Sequence, residues 1–304
     1  MSISIVMTTY NGSEYIMRQL RSILNQSLKP DEVLIFDDRS SDNTVEIVES
    51  FIQKNGLNTW KVHINSQNLG WRKNFAQAIN AASGDYIFLS DQDDEWKEDK
   101  VELLVGALSS KKDIELIVTN YLVEYVGNDN TLIKNSTKKI GNHILEKVSL
   151  KGSTYDVIRP GCTMAFKHNL VKYFNLVWND IVAHDRVLWD VSLARNTAYI
   201  YNDALITQVR HANTNTPSNP RLLSGRVKMI NNRKKVAVSL IENVSDIPQE
   251  NIEWFNRYIS VTDSRIKYMN ASSIIGLIKL LPKVKYYPKF TSWLADIVCV
   301  VKGN

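Results

Sequence analysis

NLGWRKNFAQAINAASGDYIFLSDQDDEW, residues 68–96, runs from a helical pattern through a break into an apolar run and stops at a cluster of carboxylates. A helix is expected from about Lys73, Gly84 ends it, and residues 86–89 read as a buried strand. Asp91, Asp93 and Asp94 follow at once. The same alternation extends upstream, with strands expected at 2–7, 32–36 and 61–64. Asn11, three residues before Glu14, is expected to cap a helix on which Ile16, Leu20, Ile23 and Leu24 repeat at helical spacing. DDRSSDNT, residues 37–44, turns the chain and caps a helix reaching about Gln53. Downstream, 114–119 reads as a further buried strand, 120–165 as antiparallel additions, and a helix begins near Asp185. Alternation of this kind over the first 120 residues predicts an α/β fold, a parallel sheet covered by helices.

A chain of 304 residues can bury a large core, and 44% apolar with 23% charged residues suits a globular protein. Cys162 and Cys299 lie far apart without metal-ligand spacing, so neither a disulfide framework nor a zinc site is expected. A cytoplasmic location fits, with no secretory leader pattern at the N-terminus and no run of the roughly 20 apolar residues that a spanning helix needs. The Asn/Thr/Pro-rich stretch near 212–222 divides a domain at 1–215 from a helical region at 222–304. The formal charge of +5 is unevenly spread: residues 1–221 carry 24 basic and 26 acidic side chains, residues 222–304 carry 13 and 6. A near-neutral body is a poor grip for a phosphate backbone, so no nucleic-acid partner is expected.

In an open parallel sheet ligands bind beyond the carboxyl ends of the strands. Polar clusters stand at three such ends: 8–11 after the first strand, Asp37-Asp38 after the second, and 91–94 after the fourth. Three carboxylates within four residues repel one another, and an opposite charge is the usual remedy. Hard oxygen donors suit Mg²⁺ or Mn²⁺, and Mg²⁺ typically combines one or two carboxylates with substrate phosphates.

The succession MTTYN, LIFDDRSSDNT and NLGWRKNFAQAINAASGDYIFLSDQDDEW resembles the family 2 glycosyltransferases, whose usual forms are P-T-Y-N, V-D-D-G-S-T-D and D-A-D-D. The likeness is strong over about 2–110 and continues with weaker motifs to about 215. With Asn74-Phe75 upstream and Trp96 downstream, the DQDD variant looks most like bacterial rhamnosyltransferases of surface polysaccharide synthesis. Thr8 stands where proline is usual and Arg39 where glycine is usual, both at turns.

The resemblance implies a GT-A fold, a Rossmann-like, mostly parallel central sheet with helices on both faces, followed by the C-terminal helical region. It implies an inverting, metal-dependent transfer from a nucleotide-diphosphate sugar, with dTDP-rhamnose as first donor and a UDP-hexose as second. Thr9 and Tyr10 would line the base pocket, and Asp37 would accept the N3–H of a uracil or thymine. Asp91 would hold the ribose, Arg72 and Lys73 the diphosphate. Asp93 and His211 would be metal ligands for Mn²⁺ or Mg²⁺. Asp185, in the dipeptide His184-Asp185, would be the base that takes the proton of a glycan or lipid-linked acceptor. His184, Gly161 and Arg210 would stand on the acceptor side or support it, and Cys162 is expected to be a small buried residue.

Other classes fit less well. A dinucleotide oxidoreductase would show GxGxxG after the first strand, and a nucleotidyltransferase a glycine-rich loop, whereas TTYNGSEY has one glycine. A non-catalytic nucleotide-sugar-binding module could dispense with Asp93 and Asp185, and both are present. The tail, SSIIGLIKLLPKVKYYPKFTSWLADIVCVV, mixes lysine with aromatic and aliphatic residues. Helices so composed can lie on the inner face of an anionic membrane, or pack on the catalytic domain or on a second subunit as a homodimer.

Overall fold

The computed structural model describes residues 1–126, 131–135, 141–210 and 222–303, and these hold ten strands and ten α-helices, strand and helix alternating over residues 3–90 as expected. In chain order they are β1 (Ile3–Thr9), α1 (Ile16–Leu24), β2 (Glu32–Asp37), α2 (Thr44–Asn55), β3 (Trp60–Ile64), α3 (Trp71–Ala81) and β4 (Tyr86–Ser90). Next come β5 (Asp94–Trp96), α4 (Lys100–Ser110), β6 (Leu116–Val126), β7 (Thr131–Asn135), β8 (Leu145–Lys147), β9 (Met164–Lys167) and α5 (Leu170–Val177). The last are α6 (His184–Ala194), β10 (Ala198–Arg210), α7 (Leu223–Asn243), α8 (Gln249–Asn270), α9 (Ile274–Ile278) and α10 (Phe290–Lys302).

One sheet runs β3-β2-β1-β4-β9-β6-β10-β5, with β7 added to β6 and β8 to β10. β3, β2, β1 and β4 are parallel neighbours, so the polar ends of β2, β1 and β4 lie side by side. β1 is buried at all seven positions, as a central strand covered on both faces must be. β7 and β8 pair antiparallel, as expected for the 120–165 region, β9 enters antiparallel between β4 and β6, and β5, upstream of that region, is antiparallel too. β6 and β10 pair in parallel, and β6 continues to Val126, beyond the expected end at 119. The sheet is thus mixed rather than mostly parallel, with four parallel and five antiparallel pairings among the described residues; flanked by helices and followed by a helical C-terminal extension, it has GT-A architecture. Ile5, Met7, Ile16, Leu20, Ile23, Ile35 and Phe88 meet in its core.

Two local expectations are corrected. Asn11 does not cap α1: the N-cap position is Tyr15, and Gly12 O accepts from the backbone N–H groups of Tyr15 and Ile16. Asn11 is left-handed at φ 48°, and its Oδ1 instead accepts from Ser41 N at 2.8 Å, fastening the β1 loop to the β2 loop. α3 starts at Trp71, two residues before the expected Lys73, because Gly70 at φ 81° turns the chain directly into it.

The chain forms two compact units, and the second is discontinuous. The sheet unit comprises Met1–Lys147, Arg159–Lys172 and Thr197–Thr214. The helical unit takes Val148–Ile158 and Tyr173–Asn196 as well as the described residues of Asn215–Asn304, so the boundary differs from a simple division at 215–222. Side chains within the helical unit explain this. Arg186 of α6 donates to Asp190 at 2.8 Å and to Asp156 at 2.9 Å, Trp189 Nε1 donates to Thr154 O at 2.8 Å, and Asn251 of α8 donates to Ala194 O at 2.9 Å. Tyr155 packs edge-on against Trp254, Phe255 and Tyr258. Near the C-terminus the carboxylate of Asp296, on α10, accepts from Arg226 of α7 at 2.6 Å and Arg265 of α8 at 2.9 Å, all three buried.

Candidate active site

The strand ends are knitted together by side chains rather than left as open loops. At the end of β1, Thr9 Oγ1 donates to Asp37 Oδ2 at 2.7 Å, and Thr9 is the register partner of Asp37 on β2. Asp37 also accepts from Ser40 N at 2.7 Å and Ser40 Oγ at 2.6 Å and is almost fully buried. Asp38 organises the next loop: its oxygens accept from Leu69 N at 2.7 Å, Gly70 N at 2.8 Å and Asn65 Nδ2 at 2.9 Å. That loop delivers Arg72 and Lys73 to the exposed first turn of α3, where Arg72 lies over the Trp71 ring at 5.0 Å. Arg39, in the position noted for glycine, is left-handed at φ 64°.

Gln92 ties the acidic turn to β1. Its amide accepts from Tyr10 N at 2.8 Å and donates to Tyr10 O at 3.1 Å, both ends of one backbone unit. Gly12 leaves room for that amide, since a Cβ there would lie 2.3 Å from Gln92 Oε1 unless the Gln92 side chain moved away. Tyr10 itself is 49% exposed, its ring available to a ligand.

The carboxylates of the DQDD turn have three different surroundings. Asp94 is buried on β5, opposite Gln208 of β10, and neither of its oxygens has a partner of ordinary hydrogen-bond geometry. Burial, and then repulsion from Asp91 and Asp93, pushes its carboxyl well above the usual range. An oxygen of Asp91, an oxygen of Asp94 and Sγ of Cys162 lie within 4.8 Å of one another. Asp93 instead lines a cavity of about 710 Å³ together with Glu14, Tyr15, Arg18 and Glu95. Arg18 spans that cavity wall, donating from Nε to Glu95 at 2.9 Å and pairing with Glu124 at 2.7 Å.

Beneath the turn lies Lys100, fully buried at the start of α4. Its Nζ donates to Cys162 O at 2.9 Å and sits 3.4 Å from the Trp96 ring centroid. Burial lowers its pKa to about 7, while the nearby Asp94 and Asp91 oppose that shift. The Cys162 thiol is pushed well above its ordinary value by burial and by Asp94. Cys162 is buried as expected, yet it also stands in the donor group, and the sequence pattern around Lys100 carries no sign of its place beneath it.

The carboxylates of buried Asp94 and of Asp91 are oxygen donors of the kind a hard divalent cation takes, and the Cys162 thiol is the weakest of the three donors for Mg²⁺ or Mn²⁺. His211 lies outside the described residues. Arg210, its neighbour, ends β10 with its Nε buried and lacking a partner, and Arg159 donates to Asn120 Oδ1 at 2.7 Å. Gly161 opens a short 3₁₀ turn, Gly161–Thr163, ahead of β9.

Asp185 and His184 belong to the helical unit, in the first turn of α6 after Ala183 at the N-cap. Asp185 Oδ1 accepts from Arg186 N at 2.7 Å, and its side chain is partly exposed. The His184 ring is buried, and burial lowers its pKa to about 4 although Asp185 opposes this, so the ring is neutral at pH 7.

Residues 4–172 match the family model described as Glycosyl transferase family 2. The chain is 28% identical over 218 residues to the dTDP-rhamnosyl transferase RfbG of Shigella flexneri, covering 70% of this chain and 74% of that one. It is 25% identical over 270 residues to a glycosyltransferase of Nostoc sp., covering 88% and 77%. Among solved structures, TarS residues 1–349 of S. aureus in complex with UDP superposes with a TM-score of 0.65 over 99% of this chain and 89% of that one; at 16% identity the likeness is one of fold.

Proposed function

The chain belongs to glycosyl transferase family 2, and on that premise we propose that it moves a sugar from a nucleotide-diphosphate donor to a glycan or lipid-linked acceptor, with inversion at the anomeric carbon. The observation that carries the reading is the buried Asp94 carboxylate, unsatisfied beside Asp91 at the end of β4 and within a turn that Gln92 fastens to the β1 loop. Such a group is poorly stable alone and well suited to a charged ligand.

Thr9, Tyr10 and Asp37 form the base end, Asp37 reading the N3–H of thymine or uracil. Asp91 serves the ribose, and Arg72 and Lys73 the diphosphate. The carboxylates of the DQDD turn would hold Mn²⁺ or Mg²⁺, which would supply positive charge to the departing diphosphate. Asp93 and His211 are the first candidate metal ligands, and Asp94 is a further candidate on its burial. Asp185 takes the acceptor proton as the acceptor oxygen attacks, and no acid for the leaving group is required. The dTDP-rhamnosyl relative favours dTDP-rhamnose as donor, with a UDP-hexose as the alternative.

A thermal-shift panel of dTDP-, UDP- and GDP-sugars, each with and without Mn²⁺ or Mg²⁺, beside a nucleotide-release assay, tests this. Stabilisation by dTDP- or UDP-sugars with metal, followed by acceptor-dependent release, is expected. A response to GDP-sugars alone would overturn the role of Asp37. Donor binding with no release on any glycan or lipid-linked acceptor would favour a binding module.

A further inference from the structure

α10 carries its polarity the wrong way round for a helix on a water-facing surface. Phe290, Leu294, Val298 and Val301 recur every three or four residues and form one stripe, 42–66% exposed. The inward residues are Trp293, Asp296, Cys299 and Val300, and the one charged side chain before Lys302 is the buried Asp296. α9 lies against α10, with Trp293 Nε1 donating to Leu277 O at 2.8 Å, and adds Ile275 and Ile278, 71% and 50% exposed. Isolated exposed apolar residues are ordinary, but an apolar stripe along the length of one helix, with further exposed apolar residues on the helix bonded to it, marks an interaction surface. Lys279, Lys283, Lys285, Lys289 and Lys302 belong to the same segment and are all exposed.

We propose that this face docks on an anionic lipid bilayer. Charge selects the occupant. Residues 271–303 hold five lysines and one carboxylate, and that carboxylate is consumed inside by Arg226 and Arg265. In a two-fold dimer through this face the lysines of one copy would meet those of the other, with no exposed acid in the segment to receive them. A bilayer with anionic headgroups provides both complements at once, an apolar layer for the stripe and negative charge for the lysines. At about 1.5 Å per residue α10 spans roughly 20 Å against a hydrocarbon core of about 30 Å, so it lies along the surface. Among the described residues no helix is long and apolar enough to cross a membrane.

The test is co-sedimentation of the full chain with vesicles of phosphatidylcholine, alone or with about one quarter phosphatidylglycerol. It needs neither donor nor acceptor, so it stands or falls separately from the proposed reaction. Binding to the anionic vesicles only, weakening as salt rises, is expected. Lys283→Ala with Lys285→Ala should weaken it about thirtyfold. Leu294→Glu with Val298→Glu, at exposed positions that leave the core intact, should abolish it while circular dichroism and melting temperature hold. Absence of binding to anionic vesicles, or binding indifferent to the glutamate pair, overturns the proposal. So does a wild-type dimer in sedimentation velocity that the glutamate pair returns to monomer, since a second copy then covers the face.

Discussion

Three neighbouring aspartates in one turn have unlike fates, and their variants should part accordingly. Asp94 is buried with a raised pKa, so its charge opposes folding at neutral pH when no cation is present. Asp94→Asn should therefore raise the melting temperature of the metal-free protein by several degrees, about 1–2 kcal/mol, while reducing metal-dependent donor stabilisation. An unchanged or lower metal-free melting temperature would count against it. Asp93→Asn should weaken metal-dependent donor binding and turnover together, whereas Asp185→Asn should leave donor affinity intact and lower turnover on the order of 10²–10⁴-fold. Calorimetric donor titration beside nucleotide release reads both; near-normal turnover in Asp185→Asn would send the search for the base elsewhere. The sequence made the three carboxylates and their strand legible, because a buried strand ending in acids is a local pattern. It did not distinguish buried Asp94 from cavity-lining Asp93, since a turn has no period to say which way each side chain faces. Cys162 was illegible as a member of the group for another reason: it reaches Asp91 and Asp94 only because β9 inserts beside β4.

The connections at the strand ends do more than join elements. Gly12→Ala would place a methyl group against the Gln92 amide, whose flexible end can retreat, so folding should suffer little. The double contact of Gln92 with Tyr10 would break, and donor affinity should fall several-fold, on the order of 1 kcal/mol. Normal affinity in a calorimetric titration would show the bridge to be dispensable. α4 offers an opposite prediction through Lys100, whose cation lies under the turn. Lys100→Met keeps the apolar stem and removes that charge, so Mn²⁺ affinity should rise several-fold while stability falls by about 1–3 kcal/mol, with Cys162 O left without its donor. Loss of Mn²⁺ affinity would make Lys100 a structural prop for the site. Helical and strand periods had located most elements to within two or three residues. The helix start at Asn11 failed because its side chain serves Ser41, a long-range contact that outcompeted the local cap.

Parallel strands announce themselves through continuous apolar runs, and so the sheet and its helical tail were readable at the scale of the whole chain. The discontinuous helical unit was not, because the anchors of α6 on Thr154, Asp156 and α8 are side-chain contacts between distant segments. His184, in the first turn of the same helix, is buried, with a consequence for acid stability. Its pKa in the folded protein, about 4, lies below the unfolded value of about 6.5, so the unfolded chain binds the extra proton first. Stability from the neutral ring is complete above pH 6.5 and is lost as pH falls toward 4, a penalty on the order of 3 kcal/mol. Asp190, pushed up to about 6 by burial although Arg186 opposes this, acts in the opposite sense between pH 4 and 6, but it is common to wild type and a His184→Gln variant. Melting curves from pH 7.5 to 4.5 should show the variant declining less steeply; parallel declines would refute the assignment. The Asp296 clamp bears on orientation. A half-turn roll of α10 about its own axis would turn Phe290, Leu294 and Val298 inward and Trp293, Cys299 and Val300 outward, so its apolar side chains alone choose only weakly between the two orientations. The roll would strand Arg226 and Arg265 in the interior without a counter-ion, a loss of about 3–5 kcal/mol. The ion triad thus works as a ratchet pawl, and the helix is obliged to keep that oily stripe outermost even when nothing is there to meet it.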